Sequence, residues 1–273
     1  MSFRCPICKS LLSSDSKVYK CENNHSFDIA KEGYVNLSVK NTSALSGDSK
    51  QMCLLRRAFL ESGFYEPLAK EIAGVIKGVH PEGNAKIIDA GCGEGYYSRV
   101  IRNELYGENS FFGFDLAKEG VRLAAKSEKQ CPVEKRISYA VSGIFDMPFE
   151  EDFADVIISV FAPISEEEFS RVLKKGGKLI IACPGANHLN GLKKALYDAP
   201  RENEEKIPEY ASFSLTETKS LTYSITVENE MINALFGMTP YFWKSSREVQ
   251  EKAKALKKVE TECDFIIKVY TCL

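Results

Sequence analysis

A chain of 273 residues, 44% of them hydrophobic, has material for one large or two modest domains and a sizeable buried core. Its formal net charge of −2 excludes a global basic field that would hold nucleic acid by charge alone; residues 1–80 carry +3 and the remainder −5, a small local bias toward phosphate. Met1-Ser2-Phe3-Arg4-Cys5 has no apolar signal core and no apolar run approaches membrane-spanning length, so the nine cysteines are expected to be reduced thiols of a cytoplasmic protein with no membrane partner.

Cys5-Pro6-Ile7-Cys8 and Cys21-Glu22-Asn23-Asn24-His25 form C-x2-C-x12-C-x3-H. Two short knuckles, each offering two ligands across a tight turn, suit tetrahedral zinc, and four protein ligands make that zinc structural. Leu11-Leu12 and Val18-Tyr19 flank the polar Ser13-Ser14-Asp15-Ser16, which predicts a hairpin that brings the knuckles together. A module this small is not expected to build an apolar core, so metal binding would supply most of its folding free energy. Residues 27–37 alternate and carry aromatics, predicting a short strand or arm that closes the module. Residues 41–49 read as a linker. Helices are predicted from Lys50 to Ser62-Gly63 and over 65–77, the second with Leu68, Ile72, Val75 and Ile76 at helical spacing. Arg56 and Arg57 offer charge to a phosphate or form a solvated helix face. The expected division is a zinc-binding module over 1–38, linker and helices over 39–80, and a catalytic domain over 81–273.

Strands over 87–90, 111–114, 137–141, 155–160 and 178–182 alternate with helices over 96–105, 118–129 and 165–173. That alternation predicts an α/β fold with a doubly wound, mostly parallel sheet. Lys175-Gly176-Gly177 turns into the fifth strand. Pro184-Gly185-Ala186-Asn187-His188-Leu189 then opens a helix to Tyr197, and residues 202–210 read as a charged surface loop. Late strands over 221–227 and 265–269 and helices over 229–238 and 247–258 complete the chain. Tyr241-Phe242-Trp243-Lys244 is expected in the core rather than as a platform for bases.

Ligands of such sheets bind beyond the carboxyl ends of the strands, at the switch point. There the first crossover reads Asp89-Ala90-Gly91-Cys92-Gly93-Glu94-Gly95. Dinucleotide enzymes place the third glycine one position later, where this chain has Tyr96, so a nicotinamide or flavin is disfavoured. E/D-x-G-x-G-x-G is instead the pattern of Rossmann-like enzymes that use S-adenosylmethionine (SAM). Asp115 ends the second strand twenty residues past Gly95, placed to accept both ribose hydroxyls, with Leu116 beside it. Asp89, Gly91 and Gly93 complete the expected cofactor contacts from the motif; strand-end capping is the alternative for the two aspartates. His188 either caps its helix or reaches the ligand edge.

Together these features resemble the bacterial 23S ribosomal RNA (guanine-N1)-methyltransferases over essentially the whole length. The resemblance rests on Cys5, Cys8, Cys21 and His25; on Lys31-Glu32-Gly33-Tyr34-Val35-Asn36-Leu37; on Arg56-Arg57-Ala58-Phe59-Leu60; and on the crossover through Tyr96-Tyr97. It continues in Ala162-Pro163, Pro184-Gly185 with His188-Leu189, and Met238-Thr239-Pro240. It implies a Rossmann-like SAM-dependent methyltransferase with a small N-terminal zinc-binding domain that helps recognise a ribosomal RNA hairpin. It implies that Tyr65, Tyr97, Ser98 and His188 contact SAM, that the enzyme is a homodimer, and that DNA is not its substrate. Ser142-Gly143-Ile144-Phe145 stands where related enzymes hold an acidic residue near the adenine amine, so backbone groups are expected to serve there. Phe161-Ala162-Pro163 stands where amino-methylating relatives carry N/D-P-P-Y, which suits a ring-nitrogen target with Phe161 stacked on the base. No side chain stands out as acceptor of the N1 proton. A small-molecule methyltransferase and a non-catalytic RNA-binding protein are the other readings.

Overall fold

The computed structural model describes residues 3–15, 17–38, 48–200, 203 and 209–273. The predicted hairpin forms: β1 (Ser13–Ser14) pairs with β2 (Val18–Lys20), and β3 (Ser26–Asp28) adds an antiparallel third strand. The arm beyond it does more than close this ribbon. Its β4 (Val35–Asn36) leaves the ribbon and pairs in parallel with the central sheet, Val35 opposite Ala140 and Asn36 opposite Val141. The linker predicted over 41–49 lies, up to Gly47, outside the described residues, as do all but three residues of the 202–210 loop.

Ser49 then caps α1 (Lys50–Leu60), its hydroxyl accepting the Met52 amide at 3.2 Å. Next come α2 (Glu66–Val79), β5 (Lys86–Ala90), α3 (Tyr96–Glu104), β6 (Ser110–Asp115), α4 (Lys118–Ser127) and β7 (Ser138–Val141). They are followed by β8 (Ala154–Val160), α5 (Glu166–Val172), β9 (Leu173–Pro184) and α6 (Asn190–Leu196). The chain ends in β10 (Phe213–Glu228), α7 (Glu230–Gly237), α8 (Pro240–Lys244), α9 (Arg247–Ala255) and β11 (Lys258–Cys272).

The central sheet has the order β10-β11-β9-β8-β5-β6-β7-β4. Its strands are parallel except for β11, which runs antiparallel to both β9 and β10. From β5 the chain steps outward to β6 and β7, then returns to the other side of β5 with β8, so the switch point lies between β5 and β8. The late strands are far longer than expected, because β10 carries Thr216, Glu217, Thr218 and Lys219 on a largely exposed edge with little apolar signal. Lys175-Gly176-Gly177 is a bulge inside β9: the register with β8 passes from Ala154–Leu173 to Val156–Lys178, and Gly176 has φ +79°. Of the late aromatic cluster, Tyr241 and Phe242 pack on the core, whereas Trp243 is half-exposed. Among the described residues no helix is long and apolar enough to cross a membrane.

One sheet face is covered by α1, α2 and the late helices. The other buries Phe112, Phe114 and Phe149 together with the ribbon's own Phe3, Leu12 and Tyr19. The ribbon's apolar residues join the core of the sheet instead of forming one of their own: Phe3 stands 5.6 Å from the Phe149 ring and 6.0 Å from Phe112. Phe3→Ala should lower the stability of the whole protein by about 3–5 kcal/mol. Urea unfolding followed by Trp243 fluorescence checks this, since that indole is the sole tryptophan and lies outside the ribbon. An unchanged midpoint would mean that the ribbon folds alone.

Candidate cofactor site and metal centre

The chain leaves β5 through three glycines with different tasks. Gly91 (φ +80°) lets the turn pass the β8 loop, since a Cβ there would lie 2.6 Å from Ala162 Cβ. Gly95 (φ +81°) admits α4, since a Cβ would lie 2.8 Å from Ala124 Cβ. Gly93 (φ +54°) instead faces open space, with Arg56 Nη1 at 3.7 Å from where a Cβ would be. The outer two permit close packing; the middle one leaves main chain bare.

That bare turn borders a cavity of about 640 Å³ beyond the carboxyl ends of β5 to β9. Asp115 is on its wall. Its Oδ2 accepts the Gly93 amide at 3.0 Å and its Oδ1 the Ala117 amide at 2.7 Å. The capping role and the place at the cavity thus coexist. Leu116, Tyr65, Tyr97, Gly91, Gly93, Phe161 and His188 also line the cavity. Asp89 and Ser98 do not. Both are buried at the back of the turn, and the Ser98 hydroxyl donates to Asp89 Oδ2. There they tie the first turn of α3 to the end of β5. Burial pushes the Asp89 carboxyl up to about 7, against the opposing Ser98 hydrogen bond.

Tyr65 and His188 meet across the cavity floor, Tyr65 Oη standing 3.1 Å from His188 Nε2. The Asp264 amide donates to His188 Nδ1 at 3.3 Å, so the neutral ring carries its proton on Nε2 and gives it to Tyr65. Burial, then the Lys193 charge, hold the imidazole down to about 4. Burial also raises the Tyr65 phenol well above its ordinary value. Neither group is a base at neutral pH. Phe161 sits at the end of β8 with φ +55°, a left-handed backbone that is costly for an aromatic residue, its amide donating to Ala182 O at 3.0 Å. Its ring is 45% exposed, 6.0 Å from the His188 ring.

The two arginines of α1 do not form a solvated helix face. Arg57 crosses to α4, donating to Leu123 O at 3.2 Å and Ser127 Oγ at 2.7 Å. Arg56 enters the cavity, paired with Asp48 and donating to Met238 O at 3.4 Å. Phe145, 73% exposed, lines the cavity from the 142–145 stretch expected there, and the 238–241 segment forms a wall that spacing alone did not reveal. Asp146 turns away toward the ribbon, 2.8 Å from Lys9 and 3.5 Å from Arg4.

In the ribbon, the ligand atoms of Cys5, Cys8, Cys21 and His25 all lie within 4.8 Å of one another. Cys8 Sγ is 3.6 Å from Cys21 Sγ, and His25 Nδ1 is 3.4 Å and 3.7 Å from the sulfurs of Cys21 and Cys5. The edges of a zinc tetrahedron with sulfur and nitrogen ligands are about 3.5–3.8 Å, so the donor set fits. The Ser10 hydroxyl, 3.0 Å away, helps hold the Cys8 thiol down to about 5, and a thiolate is the metal-binding form.

The first crossover, the carboxylate one strand away and the switch-point cavity define a Rossmann-like SAM-dependent methyltransferase carrying a zinc ribbon. Residues 81–254 match the profile described as a methyltransferase domain, and residues 3–39 the one described as RlmA, N-terminal. The chain is 31% identical to a putative 23S rRNA (guanine-N1-)-methyltransferase of Bacillus subtilis, over 96% of this chain and 94% of that one. It is 30% identical to the 23S rRNA (guanine(748)-N1)-methyltransferase of Streptomyces fradiae, over 88% and 85%. A putative 23S rRNA (guanine-N1-)-methyltransferase of Micromonospora griseorubida is 30% identical over 68% of this chain and 66% of its own. The protein belongs to the 23S rRNA (guanine-N1)-methyltransferase family, and its cofactors are SAM and structural zinc.

The buried Asp89 carboxyl supplies a test of the geometry. Its folded pKa lies above the unfolded value, so the folded state holds the proton longer, and stability is lost as pH rises toward and through about 7. Asp89→Asn should therefore gain on the wild type in thermal stability between about pH 5 and about pH 8. A difference independent of pH would contradict the burial.

Proposed function

We propose that this protein transfers the methyl group of SAM to N1 of a guanosine in a hairpin of 23S ribosomal RNA, in the cytoplasm, as a homodimer. The observation that carries the reaction is a methyl-donor cavity at the switch point sharing one core with a zinc ribbon, in a chain whose relatives are named for that chemistry. The dimer rests on the resemblance alone. The domain reading becomes a ribbon over 1–38 and a catalytic unit over 81–273 joined by residues 39–80, with β4 crossing from one to the other.

Bound SAM supplies an electrophilic methyl on its sulfonium. The chain's own work is alignment, with reacting atoms held about 3 Å apart and in line. Asp115 accepts the ribose hydroxyls with lone pairs left over from its two amide contacts. Gly91 and Gly93 present bare backbone, and Leu116 and Ile144 give the adenine apolar walls. Tyr65 receives the His188 proton and so keeps its own hydroxyl proton for an acceptor in the cavity, while Tyr97 closes the side next to α3. Asp89 and Ser98 hold the turn from behind. Guanine N1 lies on the Watson–Crick edge, so the target base enters unpaired or flipped out. Phe161 at the mouth offers it a stacking face.

A methyl on N1 blocks base pairing, so primer extension on 23S ribosomal RNA incubated with the protein and SAM should stop at one guanosine. Absence of a stop, with label passing only to small molecules, overturns the reading. Phe161→Gly relieves the left-handed backbone while removing the ring. It should cut RNA methylation roughly five- to a hundredfold, the worth of one base–aromatic stack, and leave SAM affinity in place. Equal loss of both would refute the stacking role.

A further inference from the structure

Arg56 is the one cation among the described residues that line the cavity; His188 is neutral, and the other charged groups there are Asp48, Glu94 and Asp115. It comes from α1, outside the crossover motif, and its Nη1 lies over the bare Gly93 turn. Its pKa is lowered by burial and held up by Asp115, Tyr97 and Glu94, and an arginine stays charged throughout. Along the cavity wall Asp115 links two segments: the Ser142 amide donates to its main-chain O at 3.1 Å, and its Oδ2 accepts the Gly93 amide at 3.0 Å, with Arg56 beside that turn.

SAM carries one anionic group, the carboxylate of its amino-acid end, next to an ammonium. We propose that Arg56 and Asp48 are the receptor for that zwitterion: the guanidinium binds the carboxylate and Asp48 takes the ammonium. This rests on the cofactor reading above and extends it to residues that the crossover motif does not contain. Without ligand the two side chains satisfy each other, as their ion pair records. The zwitterion interleaves with them, replacing one charge-assisted contact by two. Glu94 is withdrawn from the ammonium by burial, being 2% exposed: its Oε1 accepts the Tyr96 amide at 3.1 Å, and its Oε2 lies 3.5 Å from the Arg99 charge. Arg56 Nη2 donates to Met238 O at 3.4 Å, which leaves Nη1, the nitrogen paired with Asp48, beside the Gly93 turn.

The rival explanation is that the pair only fastens the start of α1. Calorimetry on the full-length protein separates the two with three probes: SAM, S-adenosylhomocysteine, and 5′-methylthioadenosine, which lacks the amino-acid end. Arg56→Ala should weaken the first two roughly ten- to a hundredfold, the worth of a hydrogen bond to a charged group, and leave the third within about twofold. Arg56→Lys, a point charge without the fork, should fall between wild type and alanine. Loss of affinity for all three probes alike, or for none, overturns the proposal. Wild-type protein that binds none of the three would instead overturn the cofactor reading.

Discussion

Asp115 is the fastening on which the site depends. One carboxylate accepts an amide from the glycine turn after β5 and another from the start of the next crossover, so two loops are locked to one side chain. Gly91 and Cys92 add the same constraint from the main chain, both donating to Phe114 O, at 2.9 and 3.0 Å. The wall of the cavity is therefore ordered by folding rather than by the ligand, which removes an entropic cost from binding. The glycines make this possible for steric reasons. A side chain at Gly91 or Gly95 would push the β8 loop or α4 away, and the turn would lose the contacts that hold it.

The ribbon is held by the same sheet. Two kinds of contact fix it, and they differ in weight. The Lys9–Asp146 ion pair is about half exposed on both sides, and such pairs contribute little, about 0–1 kcal/mol. The Phe3 ring is 1% exposed among Phe112, Phe149 and Tyr19, and burying a phenyl group is worth about 1.5–3 kcal/mol before any ring–ring term. Apolar packing therefore dominates the junction. The ion pair's effect is local: together with the Arg4 amide on Pro148 O at 2.8 Å, it steadies the loop that carries Ile144 and Phe145 to the cavity.

Most of the architecture was legible because its signals are local. Strand–glycine–helix alternation gives the parallel sheet, and the ligand spacing of the two knuckles gives the ribbon. What escaped depends on distant contacts. Alternation over 27–37 marked a strand or arm, but not that Val35 and Asn36 would leave the ribbon to pair with β7. The outer half of β10 is polar, so alternation could not mark its length. Asp89 and Ser98 stand in and beside the crossover motif, but which of its residues face the cavity depends on how α3 sits on β5. Arg56 and Arg57 are neighbours on one helix, yet one points to the cavity and the other to α4, a difference set by about 100° of helical rotation. His188 became interpretable only once Asp264, from the last strand, was seen to fix its tautomer.

The parallel pairing of β4 with β7 also bears on how the chain is made. Arg4 meets Asp146 across 142 residues of sequence, and Val35 waits for Ala140. During synthesis the ribbon leaves the ribosome long before the edge that completes it, with Phe3 and Leu12 lacking their cover. Metal captured by the nascent knuckles is then the early organiser of these first residues, and the sheet's arrival finishes what the ion begins.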